Sequence, residues 1–381
     1  MKIVVNGRFS GRKTGVGRVI ENLFDQLQHL DDENEYFIYV NKEFVDFIDV
    51  TNPRFHVLSN GITAGNSLLN HLWTQTGFLY NILKHRADMV ILPQINLFLF
   101  KLAPTILFQY DLIEYHVPNQ KWYKMLFRKM TFPVALNLAD KIVCIAESGK
   151  NDVEKVFGIP DGKISVVYCG VDTKVFTQID TQTASDFIRR QYDINDKFIL
   201  FTGTLTHPQK NLIRLVEAYR ILVDKGVTHK LVLVGGKGKD ADLIIKRIDE
   251  LQLAENVIIS GYVPDEDLPY FYSAASLFCF PSLYEGFGIP VLEAMACGCP
   301  VVTSNTSSLP EVAGDAALLV DPYKADEIAE GLYQLVSNEQ VRNKCIINGF
   351  QQVRKFTWDR AGRQLLDTIH EVARQSAAYG S

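Results

Sequence analysis

Two carboxylates eight positions apart, Glu285 and Glu293, sit in the stretch SLYEGFGIPVLEAMACGCPVV (282–302), which is otherwise small and apolar. Pro290 suits the first turn of a helix and Gly298 its end, so the spacing predicts a helix over 289–297 fed by the loop EGFG. Helical side chains lean toward the N-terminus, which lets Glu293, one turn in, reach back toward the loop that carries Glu285. The backbone N–H groups of Gly286, Phe287 and Gly288, at the mouth of that helix, are expected to suit an anion. A carboxylate accepts hydrogen bonds from hydroxyls. An anion site flanked by two carboxylates therefore suits a ligand that carries phosphates and several hydroxyls, as a nucleotide sugar does. Glu293 alone has a simpler explanation, the helix dipole, worth about 0.3–1 kcal/mol to an acid near a helix start. The combination with the glycines, the proline and a strand on either side is what points to a receptor.

Three other loops carry similar chemistry. In GRFSGRKTGVGRVIENL, Gly15, Val16 and Gly17 lead into a helix, and glycines at a helix start allow a phosphate close approach. This loop lacks the third glycine and the acid of the dinucleotide-binding fingerprint. In QYDLIEYHVP, Tyr110, Asp111 and His116 follow a strand at 104–108, although an aspartate there serves equally well as a turn or cap residue. In GTLTHPQKNLIRL, Gly203 and Thr204 end a strand and Lys210 stands at a helix start. The helix dipole disfavours a cation there, so a lysine makes sense if an anion shares the place; a solvated lysine is the competing reading.

The elements that position these loops read as strand–helix alternation. Runs rich in Val, Ile, Leu and Phe occur at 2–6, 36–40, 54–58, 88–92, 104–108, 141–145 and 164–168, and again at 197–202, 230–234, 256–260, 276–280, 300–303 and 317–320. They are continuous rather than alternating, as strands buried on both faces are. Helical periods fall between them, at 16–30 (Val19, Leu23, Leu27 and Leu30 on one face), 210–225, 240–253, 265–275, 289–297 and 324–337. Two such sets predict an α/β protein of two Rossmann-like domains, 1–172 and 173–357, facing across a cleft, with a final helix at 358–377. The join is expected in the polar, turn-rich stretch 168–188. Ligands of such sheets bind beyond the carboxyl ends of the strands, where all four loops lie.

A chain of 381 residues is long for one core, which agrees with two domains. A net charge of −5 and a pI near 5.9 argue against a nucleic-acid binder. The start MKIVVNGRF has too short an apolar run for a signal peptide, and 89–104 is broken by Pro93, Gln94 and Asn96, so neither a secreted nor a membrane-spanning protein is expected. Six scattered cysteines then suggest reduced thiols in the cytoplasm, and the Cys297-x-Cys299 pair has no partner ligands at metal-site spacing. Residues 121–130, KWYKMLFRKM, are basic and aromatic. Lys121, Lys124, Arg128 and Lys129 suit anionic lipid while Trp122, Leu126 and Met130 insert, which makes peripheral contact with the inner face of a membrane one reading. A packed helix with snorkelling cations is the other.

The chain resembles the family 4 retaining glycosyltransferases of the GT-B fold over nearly its whole length. YEGFGIPVLEAMACGCPVV is close to that family's signature, and FTGTLTHPQKNLIRLVEAY, LVLVGGKG, VIISGYVPDEDLPYFYSAA and SSLPEVAGDAALLVDP follow in its order. VVYCGVD resembles the interdomain segment, and FTWDRAGRQLL the terminal helix that crosses back onto the first domain. The resemblance implies that Glu285 binds hydroxyls of the donor sugar and Glu293 the ribose. It implies that Lys210 and the backbone of Gly286, Phe287 and Gly288 hold the diphosphate, that Gly203, Thr204 and Ile289 also belong to the donor site, that Tyr262 and Val263 lie along the base, and that Gly15 and Gly17 approach the diphosphate or sugar from the first domain. Where the family has His-Asp after the strand at 104–108, this chain has Tyr110-Asp111. Thr204 and Gln209 stand where arginine is frequent, with Arg214 nearby.

Breaking the sugar–phosphate bond builds negative charge on the diphosphate. Lys210 and a helix N-terminus can stabilise it without a metal or other cofactor. The strings Asp240–Asp242 and Asp265–Asp267 read as helix-start acids rather than metal ligands. With no carboxylate nucleophile apparent in the first-domain loops, front-face transfer assisted by the leaving phosphate is expected. GTLTHPQKN with YDLI resembles the branch that builds mannose- or rhamnose-containing bacterial surface polysaccharides, which favours GDP-mannose as donor and a glycan or lipid-linked glycan as acceptor. The alternatives are a GT-B-fold nucleotide-sugar epimerase and a nucleotide-sugar-binding subunit impaired in catalysis.

Overall fold

The computed structural model describes residues 1–8, 15–95, 101–117 and 122–379. The chain divides into two units. The first comprises Met1–Leu112, Gln120–Gly170 and Trp358–Ser381, the second Ile113–Asn119 and Val171–Thr357.

The first unit is built on seven strands: β1 (Lys2–Asn6), β2 (Glu35–Val40), β3 (Phe55–Ser59), β4 (Met89–Leu92), β5 (Thr105–Gln109), β6 (Lys141–Cys144) and β7 (Ile164–Val166). They pair in the order β3-β2-β1-β4-β5-β6-β7, parallel throughout. β4, β5 and β6 are buried along their whole length, which is why their sequences show no polar alternation. The C-terminal helix Trp358–Tyr379 belongs to this unit and packs on the helix Gly15–Leu30. A Cβ at Gly362 would lie 2.9 Å from Gln26 Cβ and from Leu30 Cδ1, so the glycine permits that close approach. Farther along, Glu371 pairs at 2.7 Å with Lys141, whose side chain is only 6% exposed.

The second unit holds β8 (Phe198–Thr202), β9 (Lys230–Val234), β10 (Val257–Gly261), β11 (Leu277–Phe280), β12 (Val301–Ser304) and β13 (Ala317–Val320). The order is β10-β9-β8-β11-β12-β13, again all parallel. Numbered within the unit this is 3-2-1-4-5-6, the doubly wound order, whose connections reverse direction between its first and fourth strands. The switch point therefore lies between β8 and β11, and their following loops carry Lys210 and Glu285. The fold expected from the sequence, two parallel Rossmann-like sheets, is the one observed.

Several local expectations need correction. The polar stretch 168–188 is not all linker, because a helix, Thr181–Tyr192, starts within it. Asp180 caps it by accepting from Thr183 N at 3.0 Å, Ala184 and Ile188 are buried, and Phe187 stacks on Tyr270 at 4.0 Å. A helix at Glu339–Val353 escaped the sequence reading, and the predicted helix 265–275 shortens to Leu268–Ala274. His116 groups with the second unit, its ring stacked on Tyr284 at 4.7 Å, rather than with Tyr110 and Asp111. Residues 122–138 form a helix in which Leu126 and Met130 are exposed and Arg128 lies over the Phe132 ring at 5.7 Å. Lys121 lies outside the described residues. Among the described residues no helix is long and apolar enough to cross a membrane.

Candidate functional site

Beside the switch point of the second sheet the ends of β8, β9 and β10 are tied together by backbone. Gly203 N donates to Val234 O (2.9 Å) and Gly235 N to Gly261 O (2.8 Å). A Cβ on Gly235, at φ +146°, would fall 2.0 Å from Gly203 O, so only glycine lets the loops after β8 and β9 meet. The loop after β8 then runs to Asn211, which is 1% exposed. Its amide donates to Pro281 O (3.0 Å) and Pro322 O (2.6 Å) before the helix Leu212–Asp224 begins. This anchor fixes the position of Lys210, the residue before it.

Lys210 Nζ lies 2.7 Å from Glu285 Oε1 and 4.9 Å from the centre of the Phe280 ring; the two charged side chains are 16% and 11% exposed. Backbone pairing holds their loops in register, with Leu283 N donating to Gln209 O at 2.8 Å. The last residue of β12 and the loop that follows it, SNTSS (304–308), clasp the Glu285 loop through hydroxyls. Ser304 Oγ donates to Ser282 O (2.7 Å) and Thr306 Oγ1 to Leu283 O (3.1 Å). Ser307 Oγ accepts from Glu285 N (3.0 Å), and Ser308 Oγ faces Glu285 O (3.0 Å) and Phe287 O (2.7 Å). The hydroxyl donors occupy carbonyls of the loop.

Gly288, at φ +108°, precedes the helix Ile289–Ala296. A Cβ there would come within 2.7 Å of Leu309 Cδ2 as well as being strained, so the position is glycine for two reasons. Glu293, in the second turn, is 3% exposed, and its Oε2 accepts from the hydroxyl of Tyr272 at 3.0 Å. Burial, reinforced by the adjacent Glu293 charge, raises the Tyr272 phenol well above its ordinary value, so it remains a donor. Of the pair after β10, Tyr262 is 56% exposed and Val263 is buried. Thr204 is exposed on the loop that Gly203 begins, and Ile289 is partly exposed at the first turn. Arg214 lies over the Tyr323 ring at 5.6 Å and donates to Asn211 Oδ1 at 3.0 Å.

The remaining predicted residues belong to the first unit. Gly15 is exposed and Gly17 buried at the start of the helix that follows β1. Tyr110 and Asp111 follow β5. Tyr110 is 9% exposed, its hydroxyl has no hydrogen-bond partner among the described residues, and burial pushes its pKa well up. Asp111 is partly exposed, and its backbone carbonyl accepts from the Gln109 amide. Asp240 and Asp267 precede the helices Ala241–Glu250 and Leu268–Ala274 as their N-cap residues.

Sequence reasoning singled out Lys210 and Glu285, which the fold brings into contact, and missed Asn211 as an anchor, the hydroxyl clasp and Tyr272. Five Ser or Thr residues among the six positions 303–308, directly after a strand, were the available signal for the clasp. Nothing local distinguishes Tyr272 from a core aromatic.

A model for glycosyl transferases group 1 matches residues 184–352, and one for glycosyltransferase family 4 matches residues 13–175. The chain belongs to glycosyltransferase family 4. O-antigen chain mannosyltransferase B of Escherichia coli is 32% identical over 260 residues, covering 67% of this chain and 65% of that protein. MMP alpha-(1->4)-mannosyltransferase of Mycolicibacterium hassiacum is 29% identical, over 68% of this chain and 60% of that one. The serotype-specific mannosyltransferase WbdA of Escherichia coli is 28% identical over 62% of this chain and 29% of its own length. The chain therefore spans less than two thirds of these relatives. Among solved structures, sucrose-phosphate synthase from Thermosynechococcus elongatus superposes with a TM-score of 0.78 at 19% identity, over 97% of this chain and 98% of that one. WaaG, a glycosyltransferase involved in lipopolysaccharide biosynthesis, gives 0.70 at 15% over 97% and 99%. Anabaena Alr3699/HepE, solved in complex with UDP and glucose, gives 0.72 at 17% over 97% and 100%. These likenesses establish the GT-B fold of the family 4 chain.

Proposed function

We propose that this glycosyltransferase moves a hexose, with retention at the anomeric carbon and without a metal ion, from a nucleotide-diphosphate sugar to a glycan or lipid-linked glycan acceptor. The observation that carries the proposal is the Lys210–Glu285 pair, 2.7 Å apart at the switch point beside a glycine-opened helix. One group suits a diphosphate, the other sugar hydroxyls, and the two lie in contact.

In this reading Lys210, the backbone at Gly203 and Thr204, and the Gly286–Phe287–Gly288–Ile289 segment hold the diphosphate and take up its growing charge as the glycosidic bond breaks. Glu285 receives sugar hydroxyls, Glu293 the ribose, and the exposed Tyr262 with Val263 flanks the base. From the first unit, Gly15 and Gly17 are proposed for the phosphate or sugar, and Tyr110 with Asp111 for sugar hydroxyls. The Tyr110 phenol offers a neutral hydrogen-bond donor where the family has a histidine. The acceptor hydroxyl attacks from the face the diphosphate leaves, and a leaving-group oxygen takes its proton, so no carboxylate nucleophile is required.

Mannose from GDP-mannose is the proposed donor, supported by the mannosyltransferase names of the relatives. HepE, solved with UDP and glucose, makes UDP-glucose the donor to test against it. The proposed location is the cytoplasm, with peripheral contact at the inner membrane face through 121–130. A thermal-shift screen against GDP, UDP, dTDP and ADP tests the donor class. Stabilisation by GDP above the others is expected, and a preference for UDP would replace mannose by a UDP-linked hexose.

A further inference from the structure

Tyr272 is fully buried, with its ring edge-on to Phe278 (centroids 5.4 Å, 80°) in the core of the second unit. Phenylalanine would serve that packing, so the hydroxyl needs a separate explanation. It lies 2.8 Å from Thr202 Oγ1 and 3.0 Å from Glu293 Oε2. Counting protons fixes the direction of the chain. An ionised carboxylate only accepts, so Tyr272 gives its one proton to Glu293 and must itself accept from Thr202. The hydrogen bonds run from Thr202, the last residue of β8, through Tyr272 to Glu293 on the helix Ile289–Ala296. They tie the end of β8 to the helix that follows the Glu285 loop. The bond from Tyr272 fixes one oxygen of the buried carboxylate and so sets the orientation of the group.

We infer that Tyr272 is a positioning residue for nucleotide recognition: it orients the Glu293 carboxylate toward the ribose hydroxyls and so makes the site prefer ribonucleoside over deoxyribonucleoside diphosphates. The inference rests on the reading of Glu293 as the ribose-binding carboxylate. Tyr272 touches no ligand itself; removing its hydroxyl loosens Glu293 and leaves the diphosphate contacts untouched.

The test is titration calorimetry of GDP and UDP, each against its 2′-deoxy and 3′-deoxy counterparts, on the wild type and on Glu293→Gln, Tyr272→Phe and Thr202→Val. The wild type is expected to favour the ribo form by about tenfold or more, the scale of a hydrogen bond to a charged group. Glu293→Gln removes most of that preference. Tyr272→Phe is expected to keep deoxy-form affinity within about twofold while its ribo preference falls to about threefold or less. Thr202→Val, which leaves the tyrosine without its donor, falls between. A purely structural tyrosine weakens both forms alike and keeps the ratio. That result overturns the inference while Glu293 keeps its role. A wild type without ribo preference, or a Glu293→Gln protein that retains it, overturns the ribose reading and the inference together. Should Tyr272→Phe not fold, an unchanged ratio in Thr202→Val overturns the inference.

Discussion

Glu285→Gln separates two tasks that the Lys210–Glu285 pair joins. At 2.7 Å two unit charges attract by about 6 kcal/mol at an effective dielectric near 20, before desolvation is counted. Removing one partner of a fully buried pair costs about 3–5 kcal/mol. Here the side chains keep 16% and 11% exposure and glutamine keeps an acceptor for the ammonium, so the cost falls to about 2 kcal/mol. A domain stable by about 5–15 kcal/mol survives that loss, with Tm lowered by roughly 4–8 °C. The ammonium is then no longer neutralised. Nucleoside diphosphate affinity is expected to hold or to rise by up to about tenfold, a gain of about 1.4 kcal/mol. Sugar transfer, which loses a charged acceptor for the sugar hydroxyls, is expected to fall about 100-fold or more. Lys210→Ala should lower affinity and transfer together. Calorimetry with the bare diphosphate, beside initial rates with the donor sugar, reads both quantities. A Glu285→Gln protein whose diphosphate affinity collapses in step with transfer refutes the reasoning, because the carboxylate would then serve the nucleotide or the fold rather than the sugar.

Other consequences are simpler to check. Ser308→Ala removes the hydroxyl that faces Glu285 O and Phe287 O, and is expected to cost about 1 kcal/mol and raise donor KM more than it lowers kcat; wild-type stability and KM would show that the clasp does not hold the loop. Asp31 is 4% exposed; burial alone would raise its pKa, but hydrogen bonds from Tyr36, Asn34 and Glu33 outweigh this and hold it below the usual aspartate value. Its contribution is therefore full above the unfolded pKa near 4 and lost as pH falls through the folded one. Asp31→Asn is expected to be less stable by about 1–3 kcal/mol at pH 7, with the gap closing in acid, whereas a gap constant down to pH 2 would contradict that linkage. Sedimentation with anionic phosphatidylglycerol vesicles is expected to capture the protein at low salt and release it at high salt; no binding at low salt ends the membrane reading of 121–130.

The sheets were legible because burial on both faces writes itself into a strand as an unbroken apolar run. β4, β5 and β6 announce themselves, and so do β8 and β11. The helix Thr181–Tyr192 was not legible: it presents a narrow apolar face, Ala184 and Ile188, among polar residues, and its N-cap Asp180 looks like any turn acid. In the candidate site, residues whose function is intrinsic to their type and local spacing stood out, namely Lys210 at a helix start and Glu285 in a glycine loop. Residues whose role depends on a distant partner did not. Ser307 and Ser308 lie more than twenty positions from the loop they hold, and Tyr272 twenty-one from Glu293. The serine bonds follow from the parallel neighbours β11 and β12, the Tyr272 bond from the helices that precede and follow β11, and all exist only once the sheet is assembled. The pair Tyr262 and Val263 shows the reverse limit: adjacent in one motif, they part in the fold, one exposed and one buried.

Sugar transfer from a nucleotide-diphosphate donor is read from the product itself. Purified protein is incubated with GDP-mannose and with UDP-glucose, each with a polysaccharide-repeat acceptor and a chelator, and the product is analysed by mass spectrometry and by NMR of the new anomeric centre. The account predicts one added hexose, from GDP-mannose in preference, in the α configuration of the donor, formed by the wild type and lost in Lys210→Ala. A β-linked product, or transfer that continues undiminished in Lys210→Ala, would contradict it.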